Sequence, residues 1–317
     1  MNIVVLDGYT ANPGDLSWQP LRELGTLTVY DRTPDEQVID RAQGAEAVLT
    51  NKTPLDRECI YALKNLKYIG VLATGVNVLD LSAAAERGIV VSNVRDYSTD
   101  SVAQMVFAHI LNLCHHVAEH SESVHQGKWA RSTDFSYWDF PLTELAGLTL
   151  GIIGFGAIGS AVARIGQSFG MHVICHTRTP DDEPGVNFVR LDDVFRQADV
   201  LSLHCPLTPQ TACMVNTERL RSMKRSAFLI NTARGGLVDE EALAYALREG
   251  EIAGAGIDVM REEPPPSPHP LYQTPNCYIT PHNAWATRTS RERLLQKAAD
   301  NLRAFLNGQP QSTVVPE

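Results

Sequence analysis

Short, unbroken apolar runs alternate with longer stretches whose apolar residues recur at helical spacing, and this alternation runs through nearly the whole chain. In the first hundred residues Ile3–Leu6, Ala47–Thr50, Tyr68–Leu72 and Ile89–Val91 are continuous, rich in β-branched side chains, and predict strands. Between them Gln37–Ala42, Asp56–Leu63 and Leu81–Glu86 predict helices, the last closed by Gly88. Strands with no polar face, separated by helices, imply a parallel sheet covered on both sides.

The pattern changes near residue 99. Ser101 followed by Gln104 has the spacing of a capping box, and Val102, Met105, Val106, Ile110 and Leu113 then recur along one face. A long helix is expected to leave the first domain here as a hinge element. Gly127–Phe140 carries Trp129, Phe135, Tyr137, Trp138 and Phe140 without a period, which suits either a docking arm or aromatics packed on their own domain. A second alternating block follows. Its predicted strands are Thr149–Ile153, His172–His176, Val200–His204, Phe228–Asn231, Gly256–Val259 and Tyr278–Thr280, with helices over Ala157–Phe169 and Asp239–Arg248. A last amphipathic helix, Arg291–Leu306, is expected to return to the first domain.

Composition narrows the classes. The 317 residues suit two domains at roughly 150 residues each. With 44% apolar and 20% charged residues the chain is not of the disordered type. Lys and Arg number 27 against 37 Asp and Glu, a net charge of −10, which argues against nucleic-acid and anionic-membrane partners. No apolar run approaches the roughly 20 residues that span a bilayer. The first residues lack a basic region and a cleavage site and read as a strand. Six scattered cysteines (Cys59, Cys114, Cys175, Cys205, Cys213 and Cys277) with no CxxC pair read as reduced thiols of a cytoplasmic protein.

The sharpest motif is G-x-G-x-x-G at Gly154, Gly156 and Gly159, directly after an apolar strand and at the start of a helix. Gly154 permits a tight turn, Gly156 lets a pyrophosphate approach the backbone, and Gly159 lets helix and strand pack closely. The helix N-terminus at Ala157-Ile158 supplies N–H groups and partial positive charge. Its rival is a glycine-rich turn without a ligand. The next strand ends in Thr177-Arg178-Thr179, with no acid before Asp181. A hydroxyl and a guanidinium suit a ribose 2′-phosphate, so NADP(H) is favoured over NAD(H), against the plainer reading of Arg178 as a solvated charge. Further on, Arg234, the acids at Glu262-Glu263 and His282 each follow a predicted strand, where loops of an open parallel sheet line a ligand crevice.

Together with the glycine motif, the runs His204-Cys205-Pro206-Leu207-Thr208, Asn231-Thr232-Ala233-Arg234-Gly235, Asp258-Val259, Glu263-Pro264 and Thr280-Pro281-His282 resemble the D-isomer-specific 2-hydroxyacid dehydrogenases. The likeness extends to Ala73-Thr74-Gly75-Val76-Asn77 and Ser101-Val102-Ala103, covers nearly the whole chain, and is strongest to the glycerate dehydrogenase (hydroxypyruvate reductase) branch. It implies an α/β fold of two doubly wound parallel-sheet domains: a flavodoxin-like substrate domain from 1–99 plus 286–317, and an inserted Rossmann domain over 100–285. It also implies a homodimer, with the aromatic loop in the dimer arm and Trp138 reaching the partner's active site.

The roles implied are physically coherent. Arg234 would clamp the carboxylate and keto oxygen of a small 2-keto acid, its planar fork suiting two oxygens at once. His282 would give a proton to the keto oxygen, and Glu263 would orient the imidazole and favour its charged form. Backbone N–H groups at Ala73, Thr74 and Gly75 would hold the carboxylate. Lys52 is a further candidate for charge there, set against an ordinary solvated lysine. Asp258 would hold the nicotinamide carboxamide. His204, Cys205, Pro206, Thr211, Thr232 and the Ala233 carbonyl would line the cofactor. Val78, Asn283 and Met260 depart from the branch's pattern and bear on substrate identity.

The expected activity is NAD(P)-linked reduction of hydroxypyruvate or glyoxylate to D-glycerate or glycolate. Its rivals are a dehydrogenase for another D-2-hydroxyacid and a dinucleotide-sensing scaffold resembling the C-terminal-binding corepressors, although no appended tails are seen. His116-Val117-Ala118-Glu119-His120 spells the H-x-x-E-H pattern of inverted zinc proteases, near His109, His115 and His125. Lacking a nameable third ligand, these are expected to be solvated or interface histidines, with no metal.

Overall fold

The computed structural model describes residues 1–180 and 182–316. The chain divides into two compact units, Met1–Ser98 with Ala286–Glu317, and Thr99–Trp285. Each is an α/β unit built on a wholly parallel sheet.

In the first unit, β1 (Asn2–Val5), β2 (Thr26–Val29), β3 (Ala47–Thr50), β4 (Tyr68–Val71) and β5 (Val90–Asn93) lie in the order β2-β1-β3-β4-β5. Every residue of β3 and β4 is buried, which is why both strands stand out as unbroken apolar runs. Edge strand β2 alternates exposed and half-buried positions over four residues, and its short Thr-Leu-Thr-Val run was not foreseen. Asp56 and Asp80 cap the helices Arg57–Ala62 and Leu81–Glu86, accepting from Cys59 N and Ala83 N at 2.8 Å each.

The last helix, Arg288–Leu306, does return to this unit and begins three residues earlier than its apolar stripe suggests, because Thr287 caps it. Leu294, Leu295, Ala298, Ala299 and Leu302 are buried along one face. At about 1.5–3 kcal/mol per fully buried leucine, that face far outweighs helix propensity in fixing the helix here. Arg291 reaches Asp15 through two bonds of 2.8 Å and holds its carboxyl below the usual carboxylate range.

In the second unit, β6 (Thr149–Ile153), β7 (His172–His176), β8 (Val186–Phe188), β9 (Val200–Leu203), β10 (Phe228–Asn231), β11 (Gly254–Ile257) and β12 (Cys277–Ile279) form a sheet in the order β12-β11-β10-β9-β6-β7-β8. The register aligns His176 with Ile153, Ile153 with Leu203, Leu203 with Asn231, Asn231 with Ile257, and Ile257 with Ile279. The carboxyl ends of six strands therefore form one row, at strand spacings of about 4.8 Å. Chain order reverses between β6 and β9, the switch point at which open α/β sheets bind ligands.

Two local expectations are corrected. Strand β11 runs Gly254–Ile257 rather than Gly256–Val259. The helix Thr99–His115 packs so closely on it that a Cβ at Gly254 would lie 2.5 Å from Leu113 and one at Gly256 2.6 Å from His109. Packing requires glycines in a strand that local propensity disfavours. Ser101 is not a cap either. The helix has already begun at Thr99, and the buried Ser101 hydroxyl donates to the Ala284 carbonyl at 2.6 Å.

Candidate active site

The glycine motif sits at the switch point, between β6 and the helix Ala157–Ser168. Gly154 has φ +98°, and a Cβ there would lie 2.6 Å from the backbone of His204 and Cys205. A Cβ on Gly159 would lie 2.2 Å from the Gly154 carbonyl oxygen. The chain's own packing thus requires both glycines. Gly156 differs: a Cβ there would meet nothing within 4 Å. That open space lies at the N-terminus of a helix with no acid in its first turn, which suits an anionic ligand. Thr232, buried at the end of β10, keeps its hydroxyl oxygen without a hydrogen-bond partner among the described residues. Both observations fit a dinucleotide along this edge. Thr177 is half-buried and Arg178 exposed just beyond β7, and Asp181 lies outside the described residues.

The loop after β9 forms one wall. His204 Nε2 pairs with the Ser202 hydroxyl at 2.8 Å, and burial pushes its pKa down to about 4, so the ring is neutral near pH 7. Cys205 lies 3.7 Å from the Met214 sulfur, and burial raises its thiol pKa, making it a neutral surface rather than a nucleophile. The Thr211 hydroxyl donates to the Pro206 carbonyl at 2.7 Å and accepts from Thr208 N at 2.8 Å. It braces the loop from within.

After β10 the chain turns on Asn231, which is 1% exposed. Its Oδ1 accepts from Ala233 N at 3.1 Å and its Nδ2 donates to the Arg234 carbonyl at 2.9 Å. This Asx turn fixes the backbone from which the exposed Arg234 side chain projects. One guanidinium N–H donates to the Ala233 carbonyl at 2.7 Å, occupying one of its two lone pairs. Next in the chain, Gly235 lies flat on the peptide after β11. A Cβ there would be 1.9 Å from the Met260 carbonyl carbon.

That same peptide leads to Glu263. Its Oε1 accepts from Met260 N at 2.9 Å, and its Oε2 lies 2.6 Å from His282 Nδ1. Glu263 therefore fixes the ring so that Nε2 is left for a reacting group, and both side chains are 31% exposed, open to a small molecule. His282 has φ +49°, an uncommon conformation for a residue with a side chain. It is held there by bonds from its amide to the Asp258 carbonyl at 2.7 Å and the Thr280 carbonyl at 3.0 Å.

Asp258 has a part the sequence did not suggest. Its carboxylate accepts from the Thr280 hydroxyl at 2.5 Å, from Asn283 N at 3.0 Å and from Ala284 N at 3.0 Å. It caps the whole turn around His282, and is buried in doing so. The Thr280 hydroxyl also lies 3.2 Å from His109 Nε2, and Trp285 Nε1 donates to the His282 carbonyl at 2.9 Å. Asn231, Thr280, His109 and Trp285 were all missed as supports of the site. Only Asn231 carried a signal, since Asn at a strand end two residues before a turn amide is the mark of an Asx turn.

In the first unit, the residues expected to hold substrate follow β3 and β4. Asp7 accepts the amides of Asn51 at 2.8 Å, Lys52 at 2.5 Å and Thr53 at 2.8 Å, leaving the Lys52 side chain exposed. The Ala73 carbonyl accepts from Val94 N at 3.0 Å, and the Thr74 carbonyl accepts from Asn93 Nδ2 at 2.6 Å. No amide of Ala73, Thr74 or Gly75 donates to another described residue.

The H-x-x-E-H residues serve packing. His116 Nδ1 pairs with the Tyr278 hydroxyl at 3.1 Å and its ring stacks on Phe140 at 4.4 Å. Tyr278 in turn donates to Glu119. His120 Nδ1 lies 2.9 Å from the His116 carbonyl, and its Nε2 accepts from Asp139 N at 3.1 Å. The ring nitrogens of His120 and the inner nitrogen of His116 are thus already engaged within the unit.

Similarity to known proteins bears on the chain as a whole. Residues 107–284 match the model of the D-isomer specific 2-hydroxyacid dehydrogenase, NAD binding domain. The chain is 45% identical over 320 residues to a hydroxypyruvate reductase of Blautia hydrogenotrophica, covering 99% of each chain. It is 43% identical over 284 residues to a glycerate dehydrogenase of Methylorubrum extorquens, covering 89% of each. The solved structure of D-lactate dehydrogenase with NAD+ from Lactobacillus jensenii superposes with a TM-score of 0.85 at 29% identity, covering 100% of both chains. By the family model over residues 107–284 and by relatives similar along almost the whole chain, the chain belongs to the D-isomer-specific 2-hydroxyacid dehydrogenase family.

Proposed function

We propose that the protein reduces hydroxypyruvate and glyoxylate to D-glycerate and glycolate with a nicotinamide cofactor, NADP(H) in preference to NAD(H). The observation that carries this reading is the 2.6 Å contact between His282 Nδ1 and Glu263, on the same sheet edge as the glycine loop. Gly154, Gly156, Gly159 and the amides of Ala157 and Ile158 hold the cofactor's pyrophosphate, and Thr177 and Arg178 its ribose phosphate. His204, Cys205, Pro206 and Thr211 form the wall against it, and Thr232, whose buried hydroxyl has no hydrogen-bond partner among the described residues, lines it with the Ala233 carbonyl. Asp258, whose Oδ2 accepts from the Ala284 amide, would hold the carboxamide. The bound nicotinamide supplies a hydride for the keto carbon.

The chain's own residues do the rest. Arg234 grips the carboxylate and polarises the keto oxygen, with the amides of Ala73, Thr74 and Gly75 and the charge of Lys52 also serving the carboxylate. His282 delivers the proton from Nε2 to the keto oxygen, and Glu263 holds the ring in line and balances its charge. A small substituent at the keto carbon, CH2OH or H, is the substrate class. We further propose a homodimer, supported by the exposed Phe135 (92%) and Trp138 (67%) of the aromatic loop, which carries Trp138 to the partner's active site. A cytoplasmic location is supported by six free cysteines.

The test is absorbance at 340 nm with hydroxypyruvate, glyoxylate, pyruvate and a bulkier keto acid, each with NADPH and NADH. Fast oxidation with the first two is expected. Cofactor binding without turnover of any keto acid overturns the reading in favour of a scaffold. In the same assay Arg178→Ala is expected to weaken NADPH binding about tenfold or more, with NADH nearly unaffected. Equal losses for both cofactors would remove the 2′-phosphate assignment.

A further inference from the structure

One carboxylate fastens both ends of the loop that carries Glu263. The helix Glu240–Arg248 is capped by Asp239, which accepts from Ala242 N at 3.1 Å, and its first residue is Glu240. Glu240 Oε1 accepts from Arg261 N at 2.8 Å, and its Oε2 lies 3.3 Å from His269 Nε2. Arg261 precedes Glu263 in the loop and His269 follows it. The His269 side chain is 4% exposed, so its ring has no water to turn toward. Its Nδ1 accepts from Leu271 N at 3.3 Å. A ring nitrogen that accepts carries no proton, so Nε2 holds it and donates to Glu240.

Both oxygens of Glu240 therefore face donors. A carboxylate satisfies both, whereas a carboxamide must turn its NH2 toward one of them. The stem so held is the one that matters for the site. Met260 N bonds Glu263 Oε1 at 2.9 Å, Glu263 Oε2 meets His282 Nδ1 at 2.6 Å, and Gly235 lies against the Met260–Arg261 peptide. Without the clip, the span from 261 to 269 has no helix or strand of its own to fix it.

We propose that Glu240, acting with His269, is a positioning residue for the Glu263–His282 pair. It sets where the Glu263 carboxylate stands and thereby the line along which His282 passes its proton. The inference rests on the reading of that pair as the proton-donating site.

The experiment compares the full-length protein with Glu240→Gln, His269→Ala and the double variant, using hydroxypyruvate and NADPH. Sites are counted by NADPH fluorescence titration, so that kcat refers to folded, cofactor-binding protein. Each single change is expected to lower kcat about tenfold, with KM and the NADPH Kd within about twofold of the parent. The solvent deuterium isotope effect on kcat rises, because proton transfer becomes limiting. The double variant is no slower than the slower single, since both act through one clip. A merely structural role changes the number of sites and leaves kcat per site and the isotope effect as they were. That result, or single losses that multiply in the double, overturns the proposal. If Glu240→Gln binds no NADPH, His269→Ala is read by the same criteria. A parent that turns over no keto acid refutes the proposed function instead, so the two failures are distinguishable.

Discussion

Turnover of hydroxypyruvate by His282→Ala is expected to fall by about 10²–10⁴-fold, the usual contribution of a positioned general acid, with NADPH affinity unchanged. The asymmetry follows from where the ring is anchored. His282 is held by Glu263 through Nδ1 at 2.6 Å, and its amide by Asp258 and Thr280, while none of the glycine-loop contacts passes through it. Removing the imidazole takes away the proton donor but leaves the Asp258 cap on Asn283 and Ala284 to hold the turn. Stopped-flow reduction at 340 nm and NADPH fluorescence titration measure the two quantities separately. A kcat near that of the parent would sink the acid assignment, and a lost cofactor site would show that His282 also supports the sheet edge.

Gly235→Ala is the second large effect, and it requires no change in any charged group. The new methyl would stand 1.9 Å from the Met260 carbonyl carbon, 2.1 Å from its oxygen and 2.3 Å from Arg261 N. Every one of these is backbone, so no side chain can rotate away. To reach ordinary van der Waals separation the Arg234 turn must shift by more than about 1 Å, a misplacement that can cost roughly 10²-fold in rate. It displaces Arg234 from one side and the Glu263 stem from the other. Overpacking of this kind also costs about 1–3 kcal/mol of stability. The expected result is a kcat/KM lowered by about 10²-fold, together with a lower Tm. A variant with parental kcat/KM would mean that the Arg234 turn and the Glu263 stem need not touch.

The two halves of the site differ in how far they could be read. Strand–glycine–helix context made the phosphate loop legible because each glycine answers a local need: a positive φ at Gly154, closeness to the Gly154 carbonyl at Gly159, and space at Gly156. In the residue pattern alone Arg234, Glu263 and His282 are three separate strand ends, because their alignment depends on a register that no local pattern states; the family resemblance implied that they act together. Asp258 was assigned to the cofactor, yet most of its hydrogen-bonding capacity goes to the turn around His282. A buried carboxylate takes the nearest backbone amides, and which amides are near is a matter of how β11 and β12 end. His116 and His120 of the H-x-x-E-H pattern, expected to be solvated or at an interface, are instead engaged within their own unit. A helix break at His116 (φ +48°) and the neighbouring Tyr278 and Phe140 convert a ligand-like spacing into a packing cluster.

By itself the sequence determined the elements and their class. Apolar runs too polar-free to face water must be buried on both sides, and the helices between them force parallel strands. It also determined the chemistry available, since the residue types that bind two oxygens, pass a proton and cradle a phosphate occur at the ends of those runs. Only the tertiary structure decided which of those residues meet. It gave the Asp258 carboxylate to the turn around His282, closed Gly235 onto Met260, and set a single carboxylate, Glu240, across both ends of the loop that carries Glu263. The reason is physical: a strand's pattern records the burial of its own side chains, whereas contacts among loops depend on register and on close backbone approach, which residues distant in the chain must supply together.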